Sequence, residues 1–380
     1  MGIRFTALAR AQVLVCFLGA HGLWAQSWVQ MQPGTPPPPG RINNTAVYDP
    51  GSDRLIVFGG FSSVDCCVAD ADLWILTNAN KRSGQRNWIR LAPSNPPPPT
   101  AAASAVYDAA NNRMIVFGGQ AYGRSANDVW VLANANGLGG APWWTRVQPL
   151  VTEDGAPTAR QNHQAAYDPA SNRMIVFGGL QNSGGDPVLL NDGWVLTNAN
   201  GLGGQATWKR ISTSDKPSPR HGFAIGYLSS ADRLLLFGGC TDATWSCGQT
   251  SRELWVLSNA SGRTGGAAAW TTLNSDQQNA PSGAQFASSA YDVSNNRLYL
   301  MGARSGSGTP TSFGMFTDDT WMLTAANGLN GTPKWTKMKF AKTPGPRGQS
   351  VTPALFDAER RQFIVFGGPG VNDVWTLQIN

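Results

Sequence analysis

Short apolar segments separated by turns recur along most of the chain. Small and aromatic residues lead into an acid at 46–49 (AVYD) and 105–108 (AVYD), and after a tight turn an apolar run follows, as at 173–177 (RMIVF). Such segments, rich in β-branched and aromatic residues and bounded by turn residues, predict β-strands. A third strand carries an acid-x-Trp triplet, and a fourth begins at another Trp after an Asn-Gly type loop. The pattern therefore predicts four antiparallel strands per unit.

The four-strand unit recurs six times, at intervals of about 60 residues. Each copy has a pair of small residues after its second strand: Gly59-Gly60, Gly118-Gly119, Gly178-Gly179, Gly238-Gly239, Gly302-Ala303 and Gly367-Gly368. Each copy also has a third-strand Trp: Trp74, Trp130, Trp194, Trp255, Trp321 and Trp375. One such sheet cannot bury both of its faces, so we expect the copies to stack around an axis as the blades of a propeller.

The two ends of the repeat array predict how the ring closes. Trp28 begins a strand that resembles the fourth strand of a unit, but the first three strands of that unit do not precede it. The last unit, in contrast, stops at Leu377 after its third strand. If the N-terminal strand completes the C-terminal blade, no sheet edge is left at the seam. We therefore predict an all-β, six-bladed propeller over residues 26–380, with the sixth blade made from both termini.

The first segment of the chain has the features of a secretory signal. It carries Arg4 and Arg10, an apolar stretch and a possible cleavage point after Ala25, so residues 1–25 are predicted to be a signal peptide. Removing two arginines and no acid lowers the formal charge from +6 to +4. The sequence has no run of basic residues that would suggest nucleic-acid binding, and no apolar stretch after the signal peptide is long enough to span a membrane. A secreted or periplasmic location is therefore expected.

Several of these features together resemble Kelch repeats. Four features recur at fixed positions within the repeats after the signal peptide: a Pro shortly before an Arg, a strand of small and apolar residues, the Gly-Gly pair and the later Trp. The resemblance implies a Kelch-type propeller whose partners bind the face that carries the blade-linking loops and the loops between second and third strands. Similar propellers serve as peptide-binding modules, sugar oxidases and sugar epimerases, so the fold does not decide the activity.

Residues that depart from the repeat pattern are the candidates for function. Arg41, Arg160 and Arg220 start innermost strands on the loop-bearing face, where other blades have different residues. A partial arginine ring could clamp carboxylates or sugar hydroxyls, although Arg could equally be a structural feature of this position. His163 and His221 lie beside two of these arginines and are added to the candidate ligand-binding residues. No catalytic residue and no metal site are predicted.

The cysteines after the signal form an even set of four, which suits an oxidising compartment. Cys240 and Cys247 bound a loop in blade 4 that would present Trp245 to a sugar or a protein, or pack it on a neighbour. Cys66 and Cys67 are adjacent in blade 1, which stands opposite blade 4 in a six-bladed ring. We therefore expect the pairings Cys240–Cys247 and Cys66–Cys67.

These features favour an exported, non-enzymatic propeller that recognises a carbohydrate or a protein on its loop-bearing face. The sugar-oxidase relatives use a copper centre with histidine ligands and an additional domain, neither of which this sequence provides, so no cofactor is expected. A sugar epimerase resembling sialic-acid epimerases remains an alternative, with the arginines holding a carboxylate sugar and His163 or His221 acting as acid or base. A structural surface protein without a small ligand is a third possibility.

Overall fold

The computed structural model describes residues 27–62, 68–80, 84–243, 247–276, 279–302, 317–345, 354–368 and 370–379. The predicted signal peptide, Cys66, Cys67 and Trp245 lie outside the described residues. Within the described part of the chain, no helix is long and apolar enough to cross a membrane.

The chain forms six four-stranded antiparallel sheets, which we number as blades 1 to 6. The strands of each blade are called inner, second, third and outer, and in that order their bounds are as follows. Blades 1 and 2 contain Thr45–Asp49, Arg54–Phe58, Leu73–Thr77 and Trp88–Leu91, then Ser104–Asp108, Arg113–Phe117, Val129–Ala133 and Trp143–Val147. Blades 3 and 4 contain Gln164–Asp168, Arg173–Gln181, Val188–Thr197 and Thr207–Ile211, then Ala224–Leu228, Arg233–Phe237, Leu254–Ser258 and Ala269–Thr272. Blades 5 and 6 contain Ser288–Asp292, Arg297–Met301, Thr320–Thr324 and Lys334–Met338, then Ala354–Asp357, Gln362–Gly368, Val371–Gln378 and Trp28–Met31.

The remaining described elements are short. Arg41–Ile42 pairs with Phe61–Ser62, and Gln120–Ala121 pairs with Arg124–Ser125. A single turn of 3₁₀ helix spans Ser229–Ala231 between the inner and second strands of blade 4. The predicted all-β propeller of six four-stranded blades is thus confirmed.

The N-terminal strand closes the ring as the sequence predicts. Trp28 pairs with Leu377 and Met31 with Val374, so Trp28–Met31 is the outer strand of blade 6. The inner strands of neighbouring blades contact one another all the way round, including those of blades 6 and 1. The hydrogen bonding of the last blade is therefore completed by the first described segment of the chain.

The Gly-Gly pairs of blades 1 to 4 join each of these blades to the next. Gly118 and Gly119 both have positive φ, 64° and 94°, which favours glycine. A Cβ on Gly118 would lie 2.7 Å from the Arg160 carbonyl oxygen of the next blade, so a side chain does not fit. The Gly119 amide donates to that same carbonyl at 2.8 Å. The amides of Gly60, Gly179 and Gly239 repeat this contact to Thr100, Arg220 and Ala284.

The outer-strand tryptophans fill the wedges between blades. Trp144 of blade 2 packs on Phe58 of blade 1 with ring centroids 4.9 Å apart, and Trp208 of blade 3 packs on Phe117 of blade 2 at 5.0 Å. The same pairing of a second-strand Phe with the next outer-strand Trp joins three more blade pairs: Phe177–Trp270, Phe237–Trp335 and Phe366–Trp88. These aromatic pairs stabilise the stacking of blades by burying large apolar surfaces.

On the face opposite the loops, polar side chains connect adjacent blades. The Arg54 guanidinium donates to the Asn136 carbonyl of blade 2 at 2.7 Å, and the Asn136 amide donates to Asp49 of blade 1 at the same distance. Arg113 and Arg173 make the equivalent bond to the blade that follows, through the carbonyls of Asn200 and Ser261. Arg54, Arg113 and Arg173 therefore each tie a blade to the one that follows.

Candidate binding face

We call the end of the propeller that carries the blade-linking loops and the loops between second and third strands the loop face. Arg41, Arg160 and Arg220 lie here, just before the inner strands of blades 1, 3 and 4, and all three are fully buried. Arg160 donates from both terminal nitrogens to Asp192 of its own blade, each at 2.9 Å. It also donates to the Gly178 carbonyl at 3.1 Å. The guanidinium thus joins the segment before the inner strand to the second and third strands of its blade.

Blades 1 and 4 repeat this arrangement with their own acids. Arg41 binds Asp72, with nitrogen–oxygen distances of 2.6 and 3.2 Å, and Arg220 binds Glu253. The three guanidiniums are therefore neutralised inside their blades. Ligand binding through these arginines stays a prediction.

In two blades that lack the buried arginine, the acid of the acid-x-Trp triplet has another partner. In blade 2, where Thr100 occupies the arginine position, Asp128 binds the exposed Arg146 of the outer strand. In blade 5, Asp319 binds Lys337 of the outer strand at 2.8 Å. The acid therefore ties strands together in both kinds of blade.

The electrostatics of these acids follow from their partners. Burial by itself would raise the pKa of the Asp192 carboxyl, but hydrogen bonds and charge attraction from Arg160, together with the Trp194 indole, hold that pKa below its ordinary value. The pKa of Asp72 is lowered for the same reasons by Arg41 and Trp74, again against the effect of burial. Each carboxylate is thus charged at neutral pH and matched to a buried cation.

Both candidate histidines are buried beneath the loop face. Burial, assisted by the nearby Arg160 charge, lowers the pKa of His163 to about 3, and burial lowers that of His221 to about 4. His163 Nε2 lies 2.7 Å from Ser104 Oγ of the preceding blade, and its ring packs edge-on against Phe117. General acid–base catalysis is most efficient when the pKa of the catalytic group lies near the working pH, and the pKa of each imidazole lies well below neutral pH. Their predicted role in ligand binding stays a prediction.

The disulfide predicted in blade 4 is present. Cys240 and Cys247 are joined, with their Cα atoms 5.8 Å apart. Cys240 also exchanges backbone hydrogen bonds with His221, which anchors the closed loop to the segment that leads into the inner strand. The sequence thus located this covalent link correctly.

The backbone of the loop face forms an arc of hydrogen bonds over blades 1 to 5 that the sequence did not predict. Asn43, Ala102, Asn162, Gly222 and Phe286 occupy equivalent positions in blades 1 to 5, each with φ between 53° and 62°. In each step the amide of one member donates to the carbonyl of the member in the preceding blade, at 2.8 to 3.0 Å. These bonds therefore join the loop-face segments of five successive blades directly to one another.

The loops of blades 2 and 3 are joined into one raised surface, which we call the paired hairpins (residues 120–125 and 179–190). The Ser125 amide donates to the Asn182 carbonyl at 2.8 Å, and the Asn182 amide donates to Ser125 Oγ at 2.9 Å. Tyr122 at the tip of the first hairpin is 82% exposed, and Val188 on the second is 53% exposed. The paired hairpins therefore present apolar side chains on a hydrogen-bonded support.

Comparison with known proteins gives one family and several partial relatives. A sequence model of the KLHDC2/KLHL20/DRC7 Kelch-repeats domain matches residues 20–147 and 141–368. The chain is 29% identical over 136 residues to Adagio-like protein 3 of Oryza sativa subsp. japonica, which is 36% of this chain and 19% of that protein. It is 28% identical over 157 residues to Host cell factor 1 of Homo sapiens, which is 38% of this chain and 7% of that protein.

A solved structure agrees at the level of the fold. The structure of YjhT superposes with a TM-score of 0.59, covering 89% of this chain and 94% of that one, at 14% sequence identity. The curated relatives are much longer proteins, of which this chain matches less than a fifth.

Proposed function

Because the chain belongs to the Kelch-repeats domain family, we propose that it is a protein-binding propeller whose partner docks on the paired hairpins of blades 2 and 3. The observation that carries this proposal is the exposure of Tyr122 and Val188 on loops that are fixed to each other by hydrogen bonds. Aromatic anchors on a preorganised support lose little conformational entropy when a partner binds.

The chemistry beneath this surface also supports binding. The arginines of the loop face are neutralised by acids of their own blades, and both histidines are buried and uncharged at neutral pH. The buried arginines and histidines therefore support the shape of the loop face. The exposed groups of the hairpins are then the ones that a partner meets first.

The experiment compares two faces of the same propeller. The protein is used as bait with extract of its source cells, and a captured partner is purified and its Kd measured by biolayer interferometry. Tyr122→Asp and Val188→Asp are expected to weaken binding at least about tenfold, as desolvated anchors usually contribute more than 1 kcal/mol each.

The matched controls place the same charge on the opposite face. Leu138 and Leu202 are 45% and 39% exposed on the loops between third and outer strands. Leu138→Asp and Leu202→Asp are expected to leave the Kd unchanged. Equal affinity of all four variants would contradict docking on the paired hairpins. Binding to a glycan array without a protein partner would favour the carbohydrate ligand predicted from the sequence.

We also propose that the protein is exported to a secreted or periplasmic location. The Cys240–Cys247 disulfide supports this, since such bonds persist mainly in oxidising compartments. N-terminal sequencing of the protein isolated from its source cells is expected to begin at Gln26. A retained Met1 with reduced cysteines in the cytosolic fraction would contradict export.

A further inference from the structure

The middle residue of the acid-x-Trp triplet departs from the repeat in blade 3. In the other five blades this residue is larger and fully buried: Leu73, Val129, Leu254, Thr320 and Val374. In blade 3 it is Gly193, and its φ lies outside the left-handed region, so the backbone conformation does not require glycine here. Blade 3 therefore lacks a side chain that the repeat normally supplies.

The missing side chain belongs to the wedge between blades 3 and 4. In blade 2, Val129 packs with Phe117 and Trp208 in the wedge between blades 2 and 3. The neighbour of Val129 on the outer strand is Val147, and the equivalent neighbour of Gly193 is Ile211. Gly193 therefore leaves a gap at the position that Val129 fills one blade earlier.

A cavity of about 180 Å³ lies at this position, and we call it the wedge cavity. Gly193 lines it together with Phe177, Ile211 and Trp270. Phe177 and Trp270 are buried and pack on each other across the two blades, with ring centroids 5.0 Å apart. The cavity thus has an apolar floor with two aromatic rings, and its volume is close to the ~150 Å³ of an apolar cavity that holds benzene.

The rim of the wedge cavity is polar. Asn191, Ser212, Thr213 and Lys216 line it from the segments beside the third and outer strands. The Asn191 amide donates to the Pro217 carbonyl at 3.2 Å, which fixes the segment that carries Lys216. Lys216 is exposed, and within the described part of the chain it forms no ion pair. Its ammonium is therefore available to a ligand.

The other two charged residues of the lining are already engaged. The Asp192 carboxylate accepts hydrogen bonds from Arg160 and from the Trp194 indole. The Arg210 guanidinium lies 5.9 Å from the centre of the Trp194 ring, which packs in the wedge between blades 2 and 3. Both charges thus face the other side of blade 3, and Lys216 gives the mouth of the wedge cavity a positive charge.

We propose that the wedge cavity binds a small aromatic carboxylate, with its ring on the apolar floor and its carboxylate facing Lys216. Phe177 and Trp270 can contact the ring in the edge-on or offset arrangements that aromatic groups prefer. None of the lining residues belongs to the paired hairpins, so this site does not depend on the protein partner proposed above.

The test separates the ring from the charge with three probes of the full protein: benzoate, benzyl alcohol and acetate. Saturation-transfer NMR is expected to show binding of benzoate, binding of benzyl alcohol with a Kd about three to five times higher, and no binding of acetate. An exposed ion pair contributes about this much. Lys216→Gln is expected to raise the Kd of benzoate to that of benzyl alcohol and to leave the latter unchanged.

Gly193→Val restores the side chain that blade 2 has at this position, and it is expected to abolish binding of both aromatic probes. Lys209→Gln, which changes an exposed lysine of the same blade outside the lining, is the matched control and is expected to bind like wild type. Thermal unfolding verifies that each variant is folded, and Lys216→Gln alone decides the matter if Gly193→Val does not fold.

Three results would overturn the proposal. The first is an absence of saturation transfer to benzoate in the wild-type protein. The second is undiminished benzoate binding by a folded Gly193→Val variant, because the ligand would then lie elsewhere. The third is an unchanged Kd of benzoate in Lys216→Gln, because the carboxylate would then not face this lysine.

Discussion

Removing Asp192 tests whether the acid of the acid-x-Trp triplet holds a buried cation. In Asp192→Ala, the fully buried Arg160 loses two hydrogen bonds of 2.9 Å, and the Trp194 indole loses its acceptor at 2.6 Å. Arg160 then keeps only contacts to the Gly178 carbonyl and to Thr158. Loss of one partner of a buried ion pair costs about 3–5 kcal/mol, and we expect the free energy of unfolding to fall by that amount.

Asp128→Ala is the matched control, because it removes the acid at the equivalent position of blade 2. Its partner Arg146 has a side chain that is 54% exposed, so this pair contributes only ~0–1 kcal/mol. Urea denaturation at pH 7, followed by tryptophan fluorescence, gives both free energies with comparable m-values. If the two substitutions cost the same within about 0.5 kcal/mol, the buried arginine does not depend on its acid and the reasoning is refuted.

The same carboxylate predicts a pH dependence. The pKa of Asp192 is lower in the folded protein than its ordinary value of 3.8, so its stabilisation is complete above that value and is lost as the pH falls through the folded pKa. The difference in unfolding free energy between wild type and Asp192→Asn is therefore expected to be constant from pH 7 to about pH 5. It is expected to shrink below pH 4, and a difference that grows on acidification would contradict the assignment.

Two further predictions concern the loop face. Gly119→Ala would place a Cβ 2.7 Å from the Ala101 carbonyl oxygen, whereas the Cβ of Gly123→Ala, also at positive φ, would meet nothing within 4 Å. Urea unfolding is therefore expected to show that Gly119→Ala lowers the free energy of unfolding by about 1–3 kcal/mol more than Gly123→Ala does. Equal losses would show that close approach does not explain the glycine pair. The double variant Cys240→Ser/Cys247→Ser is expected to lower the free energy of unfolding by about 2–3 kcal/mol, which is the entropic contribution of closing so short a loop. Its melting temperature is expected to be insensitive to dithiothreitol. A wild-type melting temperature that is equally insensitive would contradict a stabilising disulfide.

The fold could be predicted from the sequence because its main signals are local and repeated. A Gly-Gly pair, an acid-x-Trp triplet and a tight Asn-Arg turn each report the conformation of a few neighbouring residues, and recurrence removes the ambiguity of any single copy. Trp28 without a preceding blade was sufficient to indicate ring closure. The Cys240–Cys247 bond could also be predicted, since both cysteines bound one loop.

The surroundings of the site residues could not be predicted in the same way. Arg160 and Asp192 are 32 residues apart, and the hairpins of blades 2 and 3 meet through Ser125 and Asn182, which are 57 residues apart. Local patterns do not reveal such pairs. A comparison between repeats contained a usable signal, because the acid occurs in all six blades and its oppositely charged partner changes position along the chain.

The burial of His163 likewise could not be predicted from its neighbours in the sequence. It results from packing against Phe117 and Ser104 of the preceding blade. A histidine beside an arginine suggested a ligand-binding ring, whereas the structure packs His163 between blades 2 and 3. Its environment depends on the stacking of blades, which only the assembled ring determines.

Hydrogen exchange along the seam tests ring closure most directly. Trp28–Met31 and Val371–Gln378 share one ladder, so their amides are expected to exchange slowly and at similar rates in the intact protein. Trp28→Ala, which removes a buried side chain from that blade, is expected to speed exchange in both segments together. Fast exchange of Trp28–Met31 beside a slowly exchanging Val371–Gln378 in the unmodified protein would contradict a propeller closed by its N-terminal strand.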